Sequence, residues 1–294
     1  MNVWLALFLT VLSWAATFHL ARQVVGQMAP LVAIVWRFAL AAAFLIPLVS
    51  PRERWQWQAL WRHRWALLFL GGIGITGFQL GMFYGLRTST ATNAALLMGF
   101  SPALTVAFSA LMERRWIGAR QFAGLTLGTV GVITVVCRGQ WSVLQQLDFS
   151  SGDLLLVAGG GAWALYSVVL QRWVRGVSLL QVTVATIVIC TLLTLTVVVA
   201  TSPGTFRWPP PHVWPALLVM GVAGSALAYV WWNDAVARVG AARAAQFMNL
   251  VPVLTMLMAV PLGEPLALAQ VLGAVLVITG VLLAVARVSG ETAP

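Results

Sequence analysis

The chain has 294 residues, 61 % of them hydrophobic and 8 % charged, and a formal net charge of +10. Soluble domains carry about 25 % charged residues, so this composition excludes a water-soluble globular fold and requires the bilayer as solvent. The positive charge does not indicate a nucleic-acid partner: all 17 basic residues are arginines, and most sit in short connections between apolar runs, as membrane orientation signals do.

Ten apolar segments follow in chain order, each about the 20 residues needed to cross a bilayer. They lie at 2–25, 30–49, 65–86, 91–112, 119–137, 153–173, 179–200, 213–235, 243–262 and 266–286. The first lacks the basic leader of a cleavable signal and is read as a spanning helix. Breakers mark several connections, among them Ser50-Pro51, Pro203-Gly204 and Pro209-Pro210-Pro211. The stretch Pro51–Arg64 mixes Arg52, Arg54, Arg62 and Arg64 with Trp55, Trp57 and Trp61 and is expected to lie along the headgroups. Cys137 and Cys190 fall in apolar stretches without metal-ligand spacing and are read as buried apolar filler.

With the N-terminus inside, the inner side holds Arg52, Arg54, Arg62, Arg64, Arg114, Arg115, Arg120, Arg172, Arg175, Arg238, Arg243 and Arg287. The outer side holds Arg22, Arg87, Arg138 and Arg207. Twelve against four predicts cytoplasmic termini.

The chain also repeats itself. Gly71, Gly74, Ala94, Ala95, Met98, Pro102, Leu104 and Thr105 recur 150 residues later as Gly221, Gly224, Ala244, Ala245, Met248, Pro252, Leu254 and Thr255. Gln121, Gly124 and Gly131 recur 149 residues later as Gln270, Gly273 and Gly280, and Trp14-Ala15 as Trp163-Ala164. The repeat is five spans long. Five is odd, so the second copy enters from the opposite side, which predicts an all-α integral membrane protein of ten helices in two inverted repeats, 1–138 and 152–287.

This plan resembles the drug/metabolite transporter superfamily, in particular its EamA-type exporters. The resemblance covers nearly the whole chain. Its clearest local marks are the fourth-span run Thr92–Thr105, its ninth-span partner Ala242–Thr255, and Glu113 and Glu264 after those helices. More narrowly, the chain is similar to the bacterial exporters of aromatic amino acids in that family, which are inner-membrane proteins. The resemblance implies export of small solutes, amino acids first, with multidrug or other metabolite efflux as the alternative. A channel would need a charge ring or filter motif, and a plain scaffold would not need polar and aromatic residues at depth.

Enzyme motifs and cofactor sites are not apparent, and the three histidines, His19, His63 and His212, are scattered. The informative residues lie near the centres of spans. Pro102 and Pro252 are expected to break helical hydrogen bonding there and free the carbonyls of Met98 and Met248, which makes them candidates for gating. Trp14 and Trp163 are unusually deep for tryptophan. Trp163 shares a face with Tyr166; Ser225, Tyr229 and Trp232 share another; Thr76, Gln79 and Phe83 a third; Gln246 and Asn249 a fourth. The predicted substrate site is therefore Trp163 and Tyr166 against Tyr229, Gln246 and Asn249, with Trp14, Gln79 and Met98 nearby. No carboxylate lies at midplane, which leaves His19 as the candidate for proton coupling. Arg37 and His19 lie inside apolar runs but nearer the outer end, where a long side chain is within reach of the headgroups. Asp234 and Arg238 are expected to pair. The ladder Gly77, Gly81, Gly85 and the pair Gly124, Gly128 predict close helix packing within the monomer or, secondarily, a homodimer face.

Overall fold

The computed structural model describes residues 1–114 and 117–285. Arg115, Arg287 and the last residues assigned to the tenth span and second repeat lie outside the described residues. Among those described, the chain is helical throughout, without a β-strand. Ten helices are long and apolar enough to cross a membrane: Val3–Val24, Pro30–Val49, Arg64–Gly85, Thr92–Glu113, Ala119–Val136, Ser151–Trp173, Leu179–Thr201, Pro211–Val239, Ala241–Leu262 and Leu268–Val285. They are numbered here as spans 1 to 10.

The inverted repeat is written in the packing. A Cβ on Gly71 of span 3 would meet Ile189 and the Thr186 carbonyl of span 7 at 2.7–2.9 Å. A Cβ on the equivalent Gly221 of span 8 would meet Leu40 and the Arg37 carbonyl of span 2 at 2.9–3.0 Å. Arg37 and Leu40 are themselves the counterparts, 149 residues earlier, of Thr186 and Ile189. Each repeat thus lends its third span to the first two spans of the other. Spans 5 and 10 close the same pattern. Cβ atoms on Gly131 and Gly280 would each come within 2.7 Å of a backbone carbonyl across the contact, at Gly273 and Gly124 respectively. Only glycine permits helix axes this close, and in lipid such packing supplies much of the association energy. Of the predicted ladder Gly77, Gly81 and Gly85, the last two pack tightly inside the molecule, against Gly159 and Leu156 of span 6, while a Cβ on Gly77 would meet Ala162 at an ordinary 3.6 Å.

Four spans depart from regular α-helix, and they do so in equivalent pairs. Spans 3 and 8 contain π-helical turns at Phe69–Gly77 and Val222–Leu227. Span 4 breaks at Phe100, between helical pieces Ala91–Gly99 and Ser101–Glu113. Span 9 tightens to 3-10 geometry over Gln246–Asn249 before Leu250–Ala259. Pro102 is the second residue of the outgoing helical piece and Pro252 the third. Each therefore sits in a first turn, where a missing N–H costs least, rather than in the middle of a continuous helix.

The short helix Trp57–Arg62 forms in the stretch predicted to lie along the interface, and Trp57, Trp61 and Trp65 are exposed beside it. Cys137 and Cys190 are buried free thiols. The expected Asp234–Arg238 pair forms at 3.2 Å.

Candidate functional site: an aromatic cluster between the repeats

The deepest tryptophans of the two repeats meet. Trp14 of span 1 and Trp163 of span 6 pack edge-on at 5.3 Å between centroids. Around them stand Tyr166, stacked on Trp163 at 5.2 Å, and Tyr229, 5.6 Å from Trp163 and 6.2 Å from Trp14. Trp232 touches both tryptophans at 5.3 and 5.5 Å. Phe38 and Phe78 extend the cluster from spans 2 and 3. Edge and offset contacts of this kind contribute roughly 0.5–1.5 kcal/mol per pair beyond area burial.

Helix periodicity explains the meeting. Trp163 and Tyr166 are three residues apart on span 6, and Tyr229 and Trp232 three apart on span 8, so each pair presents one face. Three of the polar tips have partners on neighbouring spans or on the same network. The Tyr166 hydroxyl donates to Asn233 Oδ1 at 2.9 Å, and Asn233 Nδ2 donates to Thr183 Oγ1 at 2.8 Å. Trp232 Nε1 donates to Ser167 Oγ at 3.2 Å. Trp14 Nε1 donates to the Gly224 carbonyl, in the π-helical turn of span 8, at 3.0 Å.

Of the residues predicted from sequence, Trp14, Trp163, Tyr166 and Tyr229 come together directly. Gln79 lies within hydrogen-bonding reach of the Tyr229 phenol. The Met98 methyl lies against Gly160, one turn from Trp163. Gln246 and Asn249 are fully buried on the 3-10 turn of span 9, and none of their side-chain polar atoms has a hydrogen-bond partner among the described residues. Asn249 faces Gly128 of span 5, at the contact with span 10. His19 Nε2 lies 2.9 Å from the Thr255 carbonyl, which can only accept, so Nε2 carries the proton. This bond ties span 1 to span 9.

Sequence reasoning missed several members. Trp232 was visible on the Tyr229 face but not assigned to the site; Asn233, Phe38 and Phe78 gave no signal beyond their depth. Arg37 requires a correction. It does not extend to the headgroups. Its Nε donates to Ser225 Oγ at 2.6 Å and its Nη2 to the Gly224 carbonyl at 3.2 Å, in the π-helical turn of span 8. Arg37 and Trp14 thus share one acceptor, which places the guanidinium at the edge of the aromatic cluster.

The cluster is closed by its own rings: Trp163, Tyr166, Tyr229 and Trp232 are at most 3 % exposed. Two clefts open elsewhere. One of about 640 Å³ lies where spans 4 and 6 end, between Glu113 and Arg172. Arg172 donates there to the Met112 carbonyl. The other, of about 770 Å³, is an apolar groove between spans 1, 9 and 10, lined by Phe8, Leu254 and Leu282 among others. None of the cluster rings lines either cleft. Among the described residues no group of three or more His, Cys, Asp or Glu side chains could hold a metal ion.

Comparison with known proteins identifies the architecture. The model of the EamA-like transporter family matches residues 2–137 and again 150–286. The chain belongs to the EamA-like transporter family. This EamA-like protein is 35 % identical to the uncharacterized transporter YyaM of Bacillus subtilis, over 97 % of the chain and 93 % of the relative. It is 22 % identical to the aromatic amino acid exporter YddG of Ancylobacter novellus, over 87 % of each chain. It is 25 % identical to a probable terminal-alkyne amino-acid exporter of Streptantibioticus cattleyicolor, over 98 % of the chain and 95 % of that protein. A solved crystal structure superposes with a TM-score of 0.83 at 22 % identity, covering 97 % of this chain and 96 % of the other, which shows a common fold. The EamA-like chain is a multi-pass membrane transporter.

Proposed function

We propose that this transporter exports amino acids, aromatic and other apolar ones included, across a bacterial inner membrane by alternating access. The observation that carries the reading is the aromatic cluster, which draws rings from both repeats: Trp14, Phe38 and Phe78 from the first, Trp163, Tyr166, Tyr229 and Trp232 from the second. Sites in inverted-repeat transporters form at the repeat interface, next to broken helices. Two relatives named as amino-acid exporters support the substrate class.

In this reading the moving units are the repeats 1–138 and 152–287, both termini are cytoplasmic, and the protein acts as a monomer or homodimer within the lipid bilayer. Substrate enters by parting Trp163 from Tyr229 and Trp232, so that its side chain replaces ring contacts the protein makes with itself. Tyr166, Gln79 and Met98 complete the wall. Gln246 and Asn249 join it when span 9 shifts, and their amides then replace part of the substrate's lost hydration. Pro102 and Pro252 mark the joints of spans 4 and 9. Transport runs down the solute gradient without obligatory proton exchange, because no Asp or Glu lies near the centre of a span.

Proteoliposomes preloaded with labelled amino acids test this. The expected result is counterflow of phenylalanine, tryptophan or leucine at equal pH on both sides. Movement of cationic dyes without any amino acid would replace the reading with drug efflux, and strict need for an imposed proton gradient would return His19 to the mechanism. A periplasm-only reporter fused to the C-terminus should be inactive.

A further inference from the structure

Arg37 is a permanent cation inside a spanning helix. It lies seven residues into a span that begins at Pro30, about 10 Å of helix rise. Charged residues at such depth normally pair with an opposite charge. Arg37 does not. Among the described residues its hydrogen bonds go to one hydroxyl and one carbonyl, at Ser225 and Gly224, and no carboxylate lies within ion-pair distance. Four acidic side chains are engaged elsewhere, toward span ends: Glu53 with Ser178, Asp153 with Ser89 and Asn93, Asp234 with Arg238, Glu264 with Arg22 and Arg138. A guanidinium has five N–H donors in a planar fork. Two are used here, so the remaining edge is available to an acceptor with two oxygens.

The surroundings restrict that acceptor. Trp14 shares the Gly224 carbonyl with Arg37, and Tyr229 is within electrostatic range of the guanidinium. Phe38 lies 5.3 Å from its central carbon. Gly224 brings span 8 against span 1: a Cβ there would collide with Thr17 Oγ1 at 2.4 Å, while Arg37 Nη2 lies at ordinary contact distance, 3.8 Å. Aromatic rings thus stand around the guanidinium.

We propose that Arg37 is the specificity-determining residue of this transporter and binds the carboxylate of its substrate. The inference rests on the aromatic cluster being the substrate site and adds the headgroup that site demands. It also separates the two ends of an amino acid. Among the described residues no carboxylate stands by the rings to receive an ammonium group, so the carboxylate is required and the amine is dispensable. The substrate class becomes monocarboxylates with an apolar or aromatic tail, α-amino acids among them.

Counterflow of labelled L-phenylalanine, competed by 3-phenylpropionate and by phenylethylamine, tests this. In the parent, 3-phenylpropionate should compete nearly as well as phenylalanine, and phenylethylamine about tenfold or more worse, as expected for loss of a desolvated charge pair. Arg37→Gln should weaken both carboxylates by a similar factor and leave phenylethylamine unchanged; Arg37→Lys should fall between. Arg37→Gln also disturbs the two hydrogen bonds to span 8, so its melting temperature in detergent serves only to show that it folds, and the preference between the two competitors is the readout. A parent that accepts phenylethylamine as readily, an Arg37→Gln variant that keeps the preference, or binding of none of the three compounds overturns the proposal. If Trp163→Leu leaves phenylalanine uptake unchanged while Arg37→Gln removes the carboxylate preference, the rings are not the wall but the anion site stands. The reverse pattern keeps the rings and discards Arg37. Should Arg37→Gln fail to fold, the parent's competition profile decides.

Discussion

The neighbourhoods of Gly74 and Gly224 occupy equivalent places in the two repeats, and they have diverged. A Cβ on Gly74 would press on Tyr166, and one on Gly224 on Thr17, the residue 149 positions before Tyr166. The backbone arrangement is thus preserved while the chemistry differs. On the Gly74 side, Tyr166, Asn233 and Thr183 form a closed chain of neutral hydrogen bonds. On the Gly224 side, Thr17 only bonds back to its own helix at Ser13, and the space is taken by Arg37, whose counterpart is Thr186. One half of the cluster is a finished polar network; the other has a cation with donors to spare. Duplication supplies symmetric slots, and it is their unequal filling that gives a site direction.

Substitutions can break this comparison, and the largest effect is expected at its centre. Trp163 is buried and touches five other rings. Truncation to Ala should cost about 3–5 kcal/mol of stability as well as transport, so Trp163→Phe is the cleaner probe of function. It should fold, as judged by size-exclusion profile, while phenylalanine counterflow drops severalfold. Next come the glycines. Gly74→Ala forces a methyl to within 2.8 Å of the Tyr166 Cβ, which is fixed to its backbone. A loss of about 1–3 kcal/mol is expected. Gly224→Ala meets only the Thr17 hydroxyl, at 2.4 Å, which a turn about χ1 moves aside, so thermal unfolding in detergent should rank it as the milder change. Equal losses would mean that the two slots are interchangeable after all.

The polar networks should give a smaller contrast. Tyr166→Phe leaves Asn233 Oδ1 buried without its donor and should cost about 1–3 kcal/mol. Thr17→Val at the equivalent position removes only a bond to its own helix and should cost well under that. The smallest effect belongs to Glu264, which bridges Arg22 at 3.7 Å and Arg138 at 3.9 Å with all three side chains at least half exposed. Glu264→Gln should change stability by about 1 kcal/mol or less, and less again in high salt.

The sequence makes the spans legible because a helix in lipid must be apolar along its full length, and it makes the repeat legible because close packing fixes glycines that only glycine can fill. Trp14, Trp163, Tyr166 and Tyr229 could be found for a related reason: large rings with polar tips are unexpected at depth. Arg37 could not be placed, since its partners Gly224 and Ser225 are nearly 190 residues away in the chain and nothing local distinguishes an arginine that reaches outward from one that turns inward. Gln246 and Asn249 show the opposite difficulty. Their spacing marks a polar face, but which neighbour that face meets depends on the 3-10 turn beneath them, and a tightened turn has no compositional signature.

The π-helical turns in spans 3 and 8 have a consequence for how these helices tolerate change in length. A π turn is an α turn with one residue more, and each residue in an α-helix advances the face by about 100°. Deleting one residue within Val222–Leu227 would let that segment relax to an ordinary α-helix while leaving Tyr229 and Trp232 facing nearly as before with respect to Met220 and Leu217. The same deletion a turn away would have to be absorbed by the loops. The widened turns are therefore the places where these membrane helices carry a surplus residue, and where the gain or loss of a single codon is absorbed locally without re-aiming the residues on either side.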